Sequence, residues 1–395
     1  MGKTVTAVVT SGGTPVGVTG PFTVDTPWWA EVEEVTTHLG AALGVPAYVV
    51  RLVRVAGGHA ARGGHVTYHV DAPGTTVSLP PAPPLDDGDP LDSLDPLRAP
   101  FATVDGLRSL LAWARETLAA LGIAVTGPAK QRKTWNLAAL FRLPTGRGPV
   151  WLKALPAFAA DEARVMAGFA AVDPTLVPQV LAAGDGRLLL AHLPGEDCWD
   201  ASGDLLARGI HRYVEAQSAL APPSWLPRRA YADEVGALLS RDLGLTAGEV
   251  AGARALLPGW AVLDACGLPT TVVHGDFHSG NWRGVDGGPP AFLDFADAHA
   301  GHPVLDGLRV TAFRDPSVAP AARSAWISAW RAACPGSDPA RALAVAEPLA
   351  PLHLAVRYQE FLDGIEASER IYHEGQPASC VRAALRSRAA APTGT

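Results

Sequence analysis

Between Val272 and Trp282 the chain reads VVHGDFHSGNW, and four of its side chains can carry chemistry: His274, Asp276, His278 and Asn281. Two chemistries could use that set. On a strand, His274, Asp276 and His278 alternate onto one face, where two imidazoles and a carboxylate could hold zinc. His299 and His302 would then be further donors. Gly275 and Gly280 favour a loop over a continuous strand. As a loop, the pattern H-x-D-x-x-x-x-N offers an Asp that can take the proton of an attacking hydroxyl. It also offers an Asn that can hold Mg²⁺ during phosphoryl transfer.

Phosphoryl transfer needs more parts. A second magnesium carboxylate should follow a short hairpin. Asp294 ends the apolar run AFLD, thirteen residues after Asn281, and RGVDGGPP between them is suited to a turn. Magnesium takes hard oxygen ligands, so one Asp, one Asn and phosphate oxygens suffice. A cation for the phosphates should lie upstream on a strand, and VWLK ends at Lys153. A carboxylate on the next helix would hold that lysine, and Glu162 follows nine residues later in AFAADEARVMAGF. A single Lys or Glu carries no information; the order of the whole set does.

The elements that must position these residues follow from patterning. TWNLAALFRLP and PVWLKALP read as strands separated by TGRG, after a helix from Val104 to Leu121. VPQVLAAGDGRLLLAHLPGE gives two more strands around a Gly-Asp-Gly turn. Beyond Gly195 helical patterns dominate, apart from the segment Thr271 to Asp294. The N-terminus adds a strand, TVTAVVTS, then PVGVTG. A helix is expected from Pro27 to Leu43, with Asp25 or Thr26 as N-cap and Trp28 and Trp29 as core anchors. Two further β-rich runs flank GGHAARGG. Residues 76–100 are rich in Pro and Asp and read as a linker or strap; DDGDPLD within it lacks the Glu that closes a calcium loop and reads as a solvated turn. The expected class is α+β and bilobal: a small α+β domain at 1–75, a β-rich lobe at 101–193 and a helical lobe at 194–395.

At 395 residues the chain can bury more than one core. Its net charge of −7, with no dense Lys/Arg block, argues against nucleic acid and against an anionic membrane surface as partners. The four cysteines are scattered, which disfavours a zinc site or disulfide framework and fits a reducing compartment. No apolar run is long enough for a membrane helix and no secretory signal is visible, so a cytoplasmic location is expected. MGKTVT meets only the loose myristoylation pattern.

HGDFHSGN, LDFADAHAGHPVLD and WLKALPAFAADE together resemble the aminoglycoside phosphotransferase and choline kinase group, which has the protein-kinase-like fold. The likeness spans about 125 to 375. It implies a phosphotransferase that uses ATP and Mg²⁺ and acts on a hydroxyl of a small molecule such as an amino sugar, sugar, aminoglycoside or amino alcohol. Asp276 would be the catalytic base, Asn281 and Asp294 the metal ligands. Lys153 would contact the phosphates and Glu162 would orient it. Ala191, His192 and Leu193 would form the adenine-binding hinge. His274 and Asp306 would be structural, and His278 either structural or close to the phosphoryl group. Acidic and aromatic groups hold cationic acceptors in this group, so Tyr358, Asp363 and Glu366 are candidates for the acceptor cleft. The N-terminal unit would be a cap of the kind carried by some bacterial sugar and amino-sugar kinases. One departure stands out: KTWNLAALF has no glycine where a phosphate loop is expected, leaving Asn136 or backbone N–H groups for that task. A weak or inactive nucleotide-binding module and a metallohydrolase therefore stay open. A protein kinase fits less well, because neither D-F-G nor A-P-E occurs.

Overall fold

The computed structural model describes residues 2–81, 91, 95–284 and 288–390. DDGDPLD, apart from Leu91, and positions 285–287 of the expected hairpin turn lie outside them. The chain divides into two compact units. The first runs from the N-terminus to Phe158 and includes Val180–His192 and Leu362–Glu374; the second takes Ala159–Gln179, Leu193–Phe361 and the chain from Gly375.

The first unit contains two sheets. In one, β1 (Lys3–Ser11), β2 (Thr14–Val24), β3 (Tyr48–Ala56) and β4 (His65–Asp71) lie in the order β2-β1-β4-β3, with β1 and β4 parallel. Alternation sends Val5, Ala7, Val9, Val66, Tyr68 and Val70 to one face. There α1 (Glu33–Leu43) lays down Val35, Leu39 and Leu43. This helix starts six residues later than the sequence pattern suggests, at Glu33 rather than Pro27. Trp28 and Trp29 precede it, bridged to the β3–β4 loop through Trp28–Arg62 and Trp29 N–H to Ala61 O (2.9 Å). Asp25 and Thr26 do not cap it; Glu34, in its first turn, accepts their backbone N–H groups at 2.8 and 3.2 Å. Trp29 is buried, with its indole N–H on Gly63 O, whereas Trp28 is exposed beneath the Arg62 guanidinium. Only one of the pair is a core anchor.

The other sheet is antiparallel throughout: β5 (Lys130–Trp135), β6 (Ala138–Leu143), β7 (Val150–Ala154), β8 (Val180–Gly184) and β9 (Arg187–Ala191), in the order β5-β6-β7-β9-β8. TWNLAALFRLP is thus not one strand. Trp135 pairs with Ala138, closing a two-residue turn at Asn136–Leu137. Between the sheets in sequence, α2 (Val104–Ala120) is capped by Thr103 and packs Leu107, Leu110, Leu111, Ala114 and Leu118 on Phe141, Leu143, Val150 and Leu152. Lys153 alternates with Leu152 and so faces away from α2, yet is buried. Gln131 on β5 joins the two sheets, bonding both the N–H and the C=O of Val49 at 2.8 Å. The strap begins along β2, where Val18 N–H donates to Pro80 O.

The second unit is mainly helical. In chain order it holds α3 (Glu162–Val172), β10 (Glu196–Asp197), α4 (Gly203–Ala219), α5 (Tyr231–Leu238), α6 (Ala247–Arg254), α7 (Gly259–Asp264), β11 (Thr271–Val273), β12 (Trp282–Gly284), β13 (Ala291–Phe292), β14 (His299–Gly301), α8 (Val304–Arg309), α9 (Ala319–Ala333), α10 (Pro339–Ala346), most of α11 (Ala350–Gly364) and α12 (Gln376–Ala390). β11 pairs with β14, and β12 with β13. Beneath the segment 274–282 lies an aromatic floor: Tyr213 stacks on Phe277 with centroids 4.0 Å apart, and Trp282, Phe292, Phe295 and Phe169 close around them. Among the described residues no helix is long and apolar enough to cross a membrane.

Candidate active site

The segment after β11 is a loop, as its glycines suggest. Gly275 has φ +87°, and a Cβ there would lie 2.4 Å from Asp297 O, so both conformation and space require glycine. Asp306 on α8 holds the loop at its root. Its carboxylate accepts the backbone N–H of His274 (2.9 Å) and Gly275 (3.1 Å), the Tyr213 hydroxyl and the Gln217 amide (both 3.1 Å). Burial raises Asp306 to about 6 against these donors. His274 is likewise scaffold. One ring nitrogen bonds Leu293 O (2.9 Å), the other accepts the Asp276 N–H (3.3 Å), and burial drops its pKa to about 4. With both nitrogens committed to backbone, His274 cannot serve as the first donor of a zinc strand. Among the described residues no group of three or more His, Cys, Asp or Glu side chains is placed to hold a metal ion.

Asp276 sits beyond this root, its side chain 28% exposed. Arg309 grips Oδ1 with Nε (2.8 Å) and Nη2 (2.7 Å). Asn281 donates its amide to Oδ2 (3.1 Å) and to the Asp276 carbonyl (2.9 Å), and His278 Nε2 is 3.4 Å from Oδ2. Burial alone would raise this carboxyl; the bond from His278 and the charge of Arg309 outweigh it and hold Asp276 well below the usual carboxylate range. Arg309 is a site residue that the motifs did not reveal. The available signal was its position three residues after Asp306 on one helix, the same face one turn on.

Because Asn281 spends its amide nitrogen on Asp276, its Oδ1 is the atom it can offer to a cation. Across the β12–β13 pair, Leu293 N–H bonds Asn281 O (2.8 Å), which brings Asp294 beside it. Asp294 is exposed and takes a left-handed backbone, φ 66°, uncommon for a non-glycine residue. Asp297 follows, paired with Arg357 Nη2 at 2.6 Å; burial raises its pKa, with the charges of Asp276 and Asp294 adding to that rise. Asp276 and Asp294 thus both lie within electrostatic range of Asp297, and carboxylate and amide oxygens are the donor class that magnesium takes. Glu162, the first residue of α3, is buried, and its Oε1 accepts the N–H of Phe295 (3.2 Å), directly after Asp294. Tyr358 on α11 lies within electrostatic range of both Arg309 and Asp276, and burial raises its phenol.

Other expected residues stand elsewhere. Asn136 lies in the β5–β6 turn, but its backbone N–H donates to Glu369 Oε2 (3.0 Å), its amide to the same residue, and its Oδ1 meets His373 (3.1 Å). It is buried and committed, so it is not the phosphate-binding side chain that the sequence suggested. Glu366 is not a cleft residue either: it is buried between Arg98 (2.7 Å) and Arg51 (3.6 Å). Asp363 is exposed at the end of α11, within the first unit. Ala191 ends β9 and pairs with Val150; His192 accepts the Trp151 indole N–H (3.1 Å). The chain changes unit between His192 and Leu193, whose carbonyl accepts Arg283 Nε (2.9 Å).

The profile of the phosphotransferase enzyme family matches residues 128–343, more than half of the chain. The chain belongs to that family. No curated protein matches it. Among solved structures this phosphotransferase is similar to a macrolide 2′-phosphotransferase from Brachybacterium faecium, at 20% identity over 68% of this chain and 97% of that one, with a TM-score of 0.49. It is also similar to a choline/ethanolamine kinase family protein from Mesorhizobium loti, at 17% identity over 70% and 98%, TM-score 0.49. A choline kinase from Streptococcus pneumoniae matches at 12% identity over 69% and 99%, TM-score 0.49. The sheet-rich first unit and the mainly helical second unit make this an α+β phosphotransferase.

Proposed function

We propose that this phosphotransferase moves the γ-phosphoryl group of ATP to a hydroxyl of a small molecule, with Mg²⁺. The observation that carries the reading is the Asp276–Asn281–Asp294 arrangement: a carboxylate held ionised by Arg309, beside an amide oxygen and a second carboxylate. Asp276 would orient the acceptor hydroxyl and accept its proton. A carboxylate so far below the usual range is a weak base, so the proton moves late and orientation is the larger part of its work. Asn281 and Asp294 would hold Mg²⁺, which supplies charge neutralisation on the phosphates. Lys153, the buried cation on β7, would contact the phosphates, with Glu162 as its orienting partner. Since the donor is an intracellular nucleotide, the activity belongs in the cytoplasm.

The test is ADP release by the full chain with Mg-ATP across sugars, amino sugars, aminoglycosides, amino alcohols and hydroxy acids. With a productive acceptor, Asp276→Asn should lower turnover by about 100-fold or more while ATP still binds by calorimetry. Unchanged turnover in that variant would remove Asp276 from the mechanism.

A further inference from the structure

We infer that Trp199 and Phe313 form the wall on which the acceptor lies, and that this acceptor is an uncharged, ring-bearing hydroxyl compound. The inference rests on the phosphotransfer reading for the role of Asp276. Its own basis is an aromatic cluster that nothing else in the fold requires. Trp199 follows the β10 strand and stacks on His278, with centroids 5.0 Å apart and planes at 24°. Phe313, four residues beyond α8, meets His278 edge-on at 5.5 Å and Trp199 at 6.5 Å. His278 in turn stands 3.4 Å from Asp276 Oδ2. Two large aromatic rings thus flank the one histidine that touches the catalytic carboxylate.

Both rings remain in solvent. Trp199 is 44% exposed and Phe313 69%, the largest exposure among the large apolar side chains described. Phe313 also has φ 64°, a left-handed conformation that is rare for a bulky residue and is concentrated at functional sites. The loop is shaped to receive the indole: a Cβ at Gly280 would lie 2.2 Å from the Trp199 ring. A core role would have buried these rings, and a chance surface position would not have stacked them on His278.

Charge decides the class of ligand. Arg309 sits over the Phe313 ring at 4.9 Å while gripping Asp276. Arg314 adds a second cation on the same loop, bonding Cys198 O and Ser279 Oγ. An ammonium group laid on this wall would meet these guanidiniums, and the charge of Asp276 is already matched by Arg309. Glu366, one of the acidic residues that favoured an amine, is itself buried between Arg98 and Arg51. The wall instead suits the C–H face of a neutral sugar or an aryl group, whose stacking on Trp and Phe is apolar and directional.

The experiment titrates the full chain by calorimetry with 4-nitrophenyl β-D-glucopyranoside as the neutral ring probe and kanamycin as the polycation. The glucoside should bind more tightly than kanamycin. Trp199→Ala and Phe313→Ala should each weaken it by about tenfold or more, while Trp199→Phe, which keeps a flat ring, retains most of the affinity. If an alanine variant fails to fold, Phe313→Leu and Trp199→Phe against wild type carry the comparison. No glucoside binding, binding indifferent to all of these changes, or tighter binding of kanamycin would each overturn the inference. ADP release, measured separately, judges the underlying reading. Release with kanamycin alone keeps phosphotransfer and removes the wall. Glucoside binding that follows the variants, with no ADP release from any acceptor, keeps the wall and removes phosphotransfer.

Discussion

At the scale of single residues, the site is organised around one carboxylate and the cation that holds it. Asp276 accepts from Arg309, Asn281 and His278 at once, so its orientation is over-determined before any ligand arrives. Arg309 also keeps it ionised, against burial. Replacing Arg309 by Ala should therefore lower turnover by about 10- to 100-fold and let the Asp276 pKa climb. Activity requires the ionised form, so the acid limb of the kcat–pH profile should move upward, towards ordinary carboxylate values. Arg309→Lys should recover part of the rate, since a lysine keeps the charge but not the two-nitrogen grip. Steady-state kinetics from about pH 3 to 8 read both effects; an Ala variant with wild-type rate and profile would show that Arg309 is a bystander.

At the scale of elements, α8 is a six-residue helix that does two jobs. Asp306 fixes the root of the catalytic loop, and Arg309, one turn on, fixes its tip. Asp306→Ala would leave the His274 and Gly275 N–H groups, Tyr213 and Gln217 without their shared acceptor in a buried place. The expected cost is about 3 kcal/mol, seen as a lowered Tm together with a fall in kcat. A kcat that drops with no change in Tm would argue against a structural tether. The sequence made the loop, its hairpin and β7 legible because each is local: spacing alone places Asp276, Asn281, Asp294 and Lys153 in order. Partners far apart in sequence were not legible. Asn136 was assigned to phosphate because its turn lacks glycine, but its donors are satisfied by Glu369, 233 residues away. Glu366 looked like a helix-surface acid until Arg51 and Arg98 were seen against it. The start of α1 was misplaced because Trp28 and Trp29 continue the apolar pattern while bonding to a loop more than thirty residues on.

At the scale of the whole molecule, the chain returns late to complete its first unit: Leu362–Glu374 packs with the N-terminal sheet and the β5–β6 turn. Tyr372 enters the core of that sheet and stands edge-on to Trp29 and Trp135, each at 5.6 Å. The knot of this segment is Glu369, fully enclosed, with Leu52 N–H on one oxygen (3.1 Å) and Asn136 on the other. Those donors favour the carboxylate, but burial and then the neighbouring Glu366 favour the neutral acid and lift its pKa to about 8. The unfolded side chain titrates near 4.5, so between 4.5 and 8 folding takes up a proton. Glu369's share of the stability should therefore fall as pH rises through that window and level off above it. Other groups act in the opposite sense: the buried histidines His69, His274, His299, His302, His353 and His373 titrate well below 6.5 in the folded chain, and Lys3 is lowered to about 8 by burial, so their shares of the stability rise with pH, including between pH 7 and 8. From pH 7 to 8 the ionisation of Glu369 alone should cost roughly 1 kcal/mol, read as the change in wild type relative to a variant that cannot ionise. Glu369→Gln cannot ionise and keeps only those opposing contributions, so it should gain roughly 1 kcal/mol relative to wild type from pH 7 to 8, and the two stabilities should converge if the variant starts lower. Urea unfolding at pH 7 and pH 8 measures the difference. Equal slopes in the two proteins would mean that Glu369 is ionised in the folded chain, held by its three donors more strongly than burial opposes them.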